Sequence, residues 1–431
     1  MNSLNILAGT WNSRPVFSPR HMLCLLLTVY ALIEFFPVNY TVSSIGFYAV
    51  LAISLAWLMM FPESTLVTRA NWEPMLFFGI WLAYALLGYI WAADREMAVD
   101  NALLVFRYGG VFVIFDALFR EQRILARAHL AMVLILILYV LIAFWEMLTF
   151  QHLPSSRYYG VDFYFLPTGP FYNQNNLAAF MLLIMPFMVF LPKLNQRAWL
   201  KPAVLIGSVI LLVIFTVQGA RIAMLAALGM LGFIGAFQSS FWSKISVLLM
   251  IILAVFAFIH FSPPNMQLGW KMLQRELNSF STEAESAHMS SIKIRAQLVN
   301  ETIDLAGQSA FMGLGGGNFE HYMNTDRQYR TAGIINAHNW FLEILGNYGI
   351  LILAGFGYLY LRWLALLWSR YRSSYGRDKW LYLAYLWVLL LFIPASALPS
   401  SIRWNHHVWI IFAAINAMAH QTNPILRNNN A

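Results

Sequence analysis

A chain of 431 residues that is 60% hydrophobic and only 11% charged is excluded from the ordinary soluble class, in which about a quarter of residues carry charge. The formal charge of +8 does not point to nucleic acid, because the basic residues lie in short loops between apolar runs, where membrane insertion selects them, and form no continuous surface. One cysteine, Cys24, allows no intramolecular disulfide, so whatever folds outside the membrane is held by packing alone.

The first apolar run, Leu23 to Phe36, contains Glu34 and is followed by no small-residue cleavage site. It reads as a membrane span and not as a cleavable signal peptide. Apolar runs long enough to cross hydrocarbon recur at 20–37, 44–61, 74–92, 99–119, 128–150, 174–192, 202–217, 221–237, 245–261, 339–361, 380–397 and 405–420. Backbone amides in lipid must be paired within their own helix, so this pattern predicts an all-α polytopic protein of about twelve transmembrane helices, the last of them short.

Lys and Arg fall unequally on the two sets of loops. Arg14, Arg20, Arg69, Arg120, Arg123, Arg127, Lys193, Arg197, Lys201, Lys244, Arg362, Arg370, Arg372, Arg377 and Lys379 occupy one set; Arg95, Arg157 and Arg403 are nearly alone in the other. The positive-inside rule then puts both termini in the cytoplasm and the long polar segment outside. Three regions are expected: spans one to nine in residues 1–261, a large external loop domain in 262–338, and spans ten to twelve with a cytoplasmic tail in 339–431.

The loop domain carries its own helical signals. Trp270, Leu273, Leu277 and Phe280 recur at spacings of three and four, and a second helix is predicted over 291–308, stopped by the glycines beyond it. Residues 281–290 are small and polar and read as mobile. A second external stretch, 151–173, contains Pro167-Thr-Gly-Pro170, which forbids helix, and the asparagines after it are placed to cap the next span.

Conventional catalytic sites are absent from the sequence. There is no His/Glu constellation at zinc spacing, no pair of neighbouring aspartates for a divalent ion, and no Walker lysine after Gly313-Leu-Gly-Gly-Gly317. The adjacent His406 and His407 would point in different directions from one helix start, so no metal or cofactor is expected. What remains is a set of cationic and neutral-basic groups on the outer side. Arg221, after the tight link Gln218-Gly-Ala220, reads either as an arginine reaching interfacial water or as a ligand for a lipid-linked phosphate. Arg295, on the predicted external helix, either faces solvent or meets an anion. The glycine run is a tight turn or an anion-binding nest. His338, expected in the first turn of the tenth span, is an interfacial histidine or a general base kept neutral by the helix N-terminus and a nearby arginine. Glu34, Arg107, Asp116 and Glu146 lie within spans and are expected to satisfy one another or to sit near helix ends.

Together these residues resemble the bacterial O-antigen ligases and their polymerase and O-oligosaccharyltransferase relatives. The resemblance rests on Phe171-Tyr-Asn173-Gln-Asn175-Asn-Leu-Ala178, on Arg221 in its short turn, and on Arg295 followed by Gly313-Leu-Gly-Gly-Gly317-Asn-Phe319. His338-Asn-Trp-Phe-Leu-Glu343-Ile-Leu-Gly-Asn-Tyr-Gly349 completes it. Where these families carry a Ser-Arg pair, this chain has Gln218-Gly-Ala before the arginine. The resemblance implies a GT-C-like membrane glycosyltransferase of a Gram-negative inner membrane. It would move O-antigen glycan from undecaprenyl diphosphate to the lipid A core on the periplasmic face, inverting the anomeric carbon without a metal. It further implies that Arg221 and Arg295 hold the diphosphate and that His338 activates the acceptor hydroxyl. A repeat-unit polymerase or protein O-glycosylating enzyme of the same superfamily is the alternative within this class. A transporter of the lipid-linked glycan, or a membrane protein without catalysis, is the alternative outside it; a transporter usually shows duplicated halves, which this chain lacks.

Overall fold

The structure is a computed structural model that describes residues 19–36, 40–60, 72–161, 164–236, 245, 249, 291–329, 331, 333–399, 401 and 405–421. The ninth expected span, the periodic stretch around Trp270 and the polar run 281–290 lie outside the described residues, apart from two isolated positions.

Among the described residues every regular element is a helix. Besides two single-turn helices at Gly88–Ile90 and Leu191–Leu194, they are in chain order α1 (Pro19–Phe35), α2 (Tyr40–Met60), α3 (Trp72–Leu87), α4 (Arg95–Phe119), α5 (Gln122–Thr149), α6 (Gln174–Val189), α7 (Leu200–Val217) and α8 (Arg221–Ala236). After the undescribed stretch come α9 (Ser291–Gln308), α10 (Asn318–Thr325), α11 (Trp340–Ser373), α12 (Gly376–Ser396) and α13 (His407–Ala419). Eleven of the expected spans therefore coincide with helices. Seven helical stretches, Trp72–Ile90, Arg95–Phe119, Gln122–Thr149, Gln174–Leu194, Leu200–Val217, Trp340–Ser373 and Gly376–Ser396, are long and apolar enough to cross a bilayer, and four apolar ones are shorter. Large apolar side chains such as Leu86, Ile90, Leu134, Leu141 and Leu148 stand exposed on α3 and α5 and on the turn after α3. On a soluble protein such a surface would drive association; on a membrane protein it meets lipid.

Local sequence sets the helix starts. Asp94 caps α4 by accepting the amide of Met97 at 2.9 Å, Asn173 caps α6 through the amide of Asn176 at 3.0 Å, and Asn339 caps α11 through Phe341 and Leu342. Several helices outrun the apolar runs that announced them. α5 begins six residues before its expected span, and α11 continues through Arg362, Arg370 and Arg372 to Ser373, because polar ends of a helix extend beyond hydrocarbon without cost. Within α11 the backbone breaks at Gly349, at φ 75° and ψ −174°, so the element is two helices joined at a kink.

The short last span proves to be the centre of the molecule. Every residue of α13 from His407 to Ala419 is buried, and it packs chiefly on α4 and also on α11. A helix enclosed by protein need not span the full lipid thickness, which explains its thirteen residues. Its own Trp409 and Phe412 join Trp81, Tyr108, Trp340, Trp363 and Phe392 in a continuous aromatic core. The expectation for the intramembrane charges holds. Arg107 pairs with Glu34 and Ser43, Arg120 with Asp116 at 2.7 Å, and Asn416 links Asp116 to the indole of Trp363 at 2.7 and 2.9 Å.

The described part of the polar segment is folded. α9 lies where the sequence predicts it, and Leu298, Leu305, Leu314, Phe319, Met323 and Ala337 close a small second core that rests against α11.

Candidate functional site

His338 does not lie in the first helical turn. It sits just before the cap Asn339, in the left-handed region at φ 47°. Its Nδ1 is buried and has no hydrogen-bond partner among the described residues. Burial, with the positive charge of Arg295 adding to it, pushes the imidazole down to about 4, so the ring is neutral at physiological pH. The neutral state expected from the sequence is therefore present, but desolvation leads where the helix N-terminus was expected to act.

Arg295 is the cation whose charge acts on it. It does not simply face water: half-buried on α9, it donates from Nη1 to the carbonyl of Ala397 at 2.8 Å, just past the end of α12. Burial lowers its pKa, yet a guanidinium stays charged in any physiological range. α9 thus leans across to the end of α12 and brings a cation within electrostatic range of the imidazole.

Arg221 opens α8 after a link in which Gly219 takes φ 67° and the amide of Ala220 bonds the carbonyl of Phe215 at 2.9 Å. The side-chain amide of Gln218, three residues before Arg221, donates to the carbonyl of Pro167 at 3.0 Å. The carboxylate of Glu146 in turn receives the amides of Thr168 and Gly169, each at 2.7 Å. The Arg221 turn is therefore fastened to the loop that leads into α6. The N-terminal part of α6 shares a small cavity with Trp340, Ser396, Asn405 and His407. Since Trp340 follows His338 by two residues and Ser396 adjoins Ala397, Arg221, Arg295 and His338 occupy one end of the bundle.

The glycine run is a structural turn. Its Gly313, Leu314 and Gly315 amides bond Ser309 Oγ, the Gly346 carbonyl and the Asn347 carbonyl at 3.1, 2.9 and 3.0 Å, so these donors are not presented to an anion. The indole of Trp91 donates to the Gly313 carbonyl at 3.0 Å, and Asn318 exchanges hydrogen bonds with the Asp94 backbone at 2.7 and 3.0 Å. A Cβ on Gly313 would stand 2.5 Å from the amide nitrogen of Gly349. The turn thereby locks the polar segment to the kink of α11.

Two supports were not singled out from the sequence as site residues. Glu343, one turn into α11, is buried and accepts the hydroxyl of Ser401 at 2.6 Å, beside a small cavity lined also by Asn101, Asn336 and Asn347. Its place five residues after His338 in the quoted motif was the available signal. Glu301 on α9 is fully buried and accepts the amides of Gln328 at 3.0 Å and Tyr329 at 2.7 Å, which pins the segment leading to His338. A lone Glu on an amphipathic helix gave no sign of that. Among the described residues no three His, Cys, Asp or Glu side chains gather where they would hold a metal ion.

Residues 203–357, which contain Arg221, Arg295, the glycine turn and His338, match the family described as O-antigen ligase. The chain is also 25% identical over 354 residues to the teichuronic acid biosynthesis protein TuaE of Bacillus subtilis (strain 168), across 80% of this chain and 70% of the relative. The likeness read from the motifs is therefore borne out, and over the stretch that carries the three basic residues the chain bears the signature of the O-antigen ligase family.

Proposed function

We propose that this protein is an O-antigen ligase, which transfers a glycan from undecaprenyl diphosphate to a hydroxyl of the lipid A core at the periplasmic face of a Gram-negative inner membrane. The family match and the relative support a glycosyltransferase-type enzyme of cell-surface polysaccharide synthesis. The single observation that carries the reading is His338, half-buried with its Nδ1 enclosed and unpartnered among the described residues, within the electrostatic reach of Arg295.

His338 accepts the proton of the acceptor hydroxyl as its oxygen attacks the anomeric carbon. The bond from that carbon to the diphosphate oxygen breaks with inversion, and undecaprenyl diphosphate leaves. A glycosyl diphosphate already carries a good leaving group, so no general acid is required. Arg221 and Arg295 receive the negative charge that gathers on the departing diphosphate, a task that guanidinium forks perform without a metal. In this reading residues 262–338 and the loop 151–173 face the periplasm, about twelve helices span the membrane, and both termini are cytoplasmic.

Purified protein with lipid-linked donor and core acceptor tests the reaction. Transfer is expected to persist in excess chelator, and its loss there rejects the metal-independent mechanism. A second reading has one specific observation behind it. The relative is named for teichuronic acid, not for a lipid A-linked glycan, which favours a growing glycan chain as acceptor, as in a polymerase. Deleting the gene separates them: a ligase defect leaves unsubstituted core and accumulates long glycan on its carrier, whereas a polymerase defect leaves one repeat on the core.

A further inference from the structure

The loop between α5 and α6 carries an exposed aromatic and cationic cluster that the reaction above does not use. Tyr158 stacks on Tyr164 with ring centroids 3.6 Å apart, and the Arg157 guanidinium lies over the Tyr158 ring at 4.6 Å. Arg157 also donates to the side-chain carbonyl of Gln174 at 3.1 Å, and its backbone amide bonds the Tyr172 carbonyl at 3.0 Å. Tyr159 and Tyr172, the one next to Tyr158 in the chain and the other bonded through its carbonyl to Arg157, are each 61% exposed. An exposed guanidinium belongs in water and not in hydrocarbon, so the two exposed rings next to it have no lipid tails to enter. Flat, rigid rings beside directional hydrogen-bond donors are the surface that suits a pyranose, whose apolar C–H face lies on a ring while its rim of hydroxyls meets polar groups.

The Gln218 to Pro167 bond ties this loop to the turn that presents Arg221, so the cluster stands at the same end of the bundle as the candidate diphosphate site. We propose that Arg157, Tyr159, Tyr172 and Gln174 form a subsite for sugar rings of the glycan beyond the residue that reacts. The subsite rests on the proposed glycan transfer, and it would hold a long polymer near the centre while leaving a single linked sugar to the diphosphate contacts.

The probe is the cell's own surface glycan, released from its carrier by mild acid, added to the intact protein in nanodiscs. Binding is expected to weaken about five-fold or more in the double variant Tyr159→Ser, Tyr172→Ser, at unchanged melting temperature. In transfer assays the same variant should raise KM for a donor with many repeats and leave KM for a donor with one repeat unchanged. Unchanged glycan binding, or an equal rise of KM for both donors, overturns the subsite. A lowered melting temperature with unchanged glycan binding also overturns it and makes the rings interfacial anchors. Failure of the unaltered protein to transfer either donor rejects the proposed function instead, and the binding measurement still decides the subsite.

Discussion

His338 shows what a few ångströms of placement do to a titrating side chain. In water its ring would be partly protonated near neutral pH; desolvated and under the charge of Arg295 it is neutral down to about pH 4. Because the neutral ring is the base, transfer should stay near its maximum at pH 6 and fall as pH drops through about 4. Arg295→Gln removes one of the two causes of the depression, so the acid limb of kcat should move to higher pH, and a pH–rate profile reads this directly. The same shift has a stability consequence. Between its unfolded value near 6.5 and about 4, the folded state binds fewer protons than the unfolded state, so this residue's contribution falls as pH falls through that window. His338→Ala should lower kcat by about 10²–10⁴ and leave donor Kd within about two-fold; equal losses in both place the residue in donor binding and not in proton transfer. The sequence offered it as a candidate base ahead of an apolar run, but its left-handed backbone and desolvation were not legible there, since both come from residues distant in the chain.

At the level of elements, the turn at Gly313 and the kink at Gly349 are one construction. Both glycines have positive φ, and a Cβ on Gly349 would stand 2.3 Å from the carbonyl oxygen of Phe311, a contact that backbone cannot yield. Gly349→Ala should cost about 3 kcal/mol or more and lower the melting temperature sharply. Gly229→Ala on α8, where nothing lies within 4 Å of the added carbon, should stay within about 1 kcal/mol of the parent. The sequence offered the glycine run as either a turn or an anion nest. Only the partners of its amides, on a helix more than thirty residues away, decide for the turn. The Gln218 link is testable at the same scale. Gln218→Glu removes the donor to Pro167 and should raise KM for the donor lipid by several-fold with kcat little changed, whereas a uniform kcat loss at unchanged KM would detach this residue from Arg221.

For the molecule as a whole, the bundle is organised around a helix that is too short to be conspicuous. α13 carries Asn416, whose amide ties α4 through Asp116 and α11 through Trp363 at the centre of an apolar core. Asn416→Leu leaves a buried indole donor and a buried carboxylate each short of a partner. It should cost about 2 kcal/mol or more and reduce the recovery of folded protein from membranes; an unchanged melting temperature would show that the network is not needed to dock these helices.

Length, hydropathy and the spacing of charged loops were enough to give an all-helical membrane protein and the approximate place of eleven helices, because burial in lipid imposes one rule on every span. The motif residues, though scattered, were enough to reveal the family resemblance. Tertiary structure alone decided that the short last helix is the core, that Arg295 crosses to the end of α12, and that Gln218 fastens the Arg221 turn to the 151–173 loop. Each of these depends on contacts between residues from about fifty to more than a hundred positions apart. Local periodicity carries no record of such contacts; they exist only once the helices have packed.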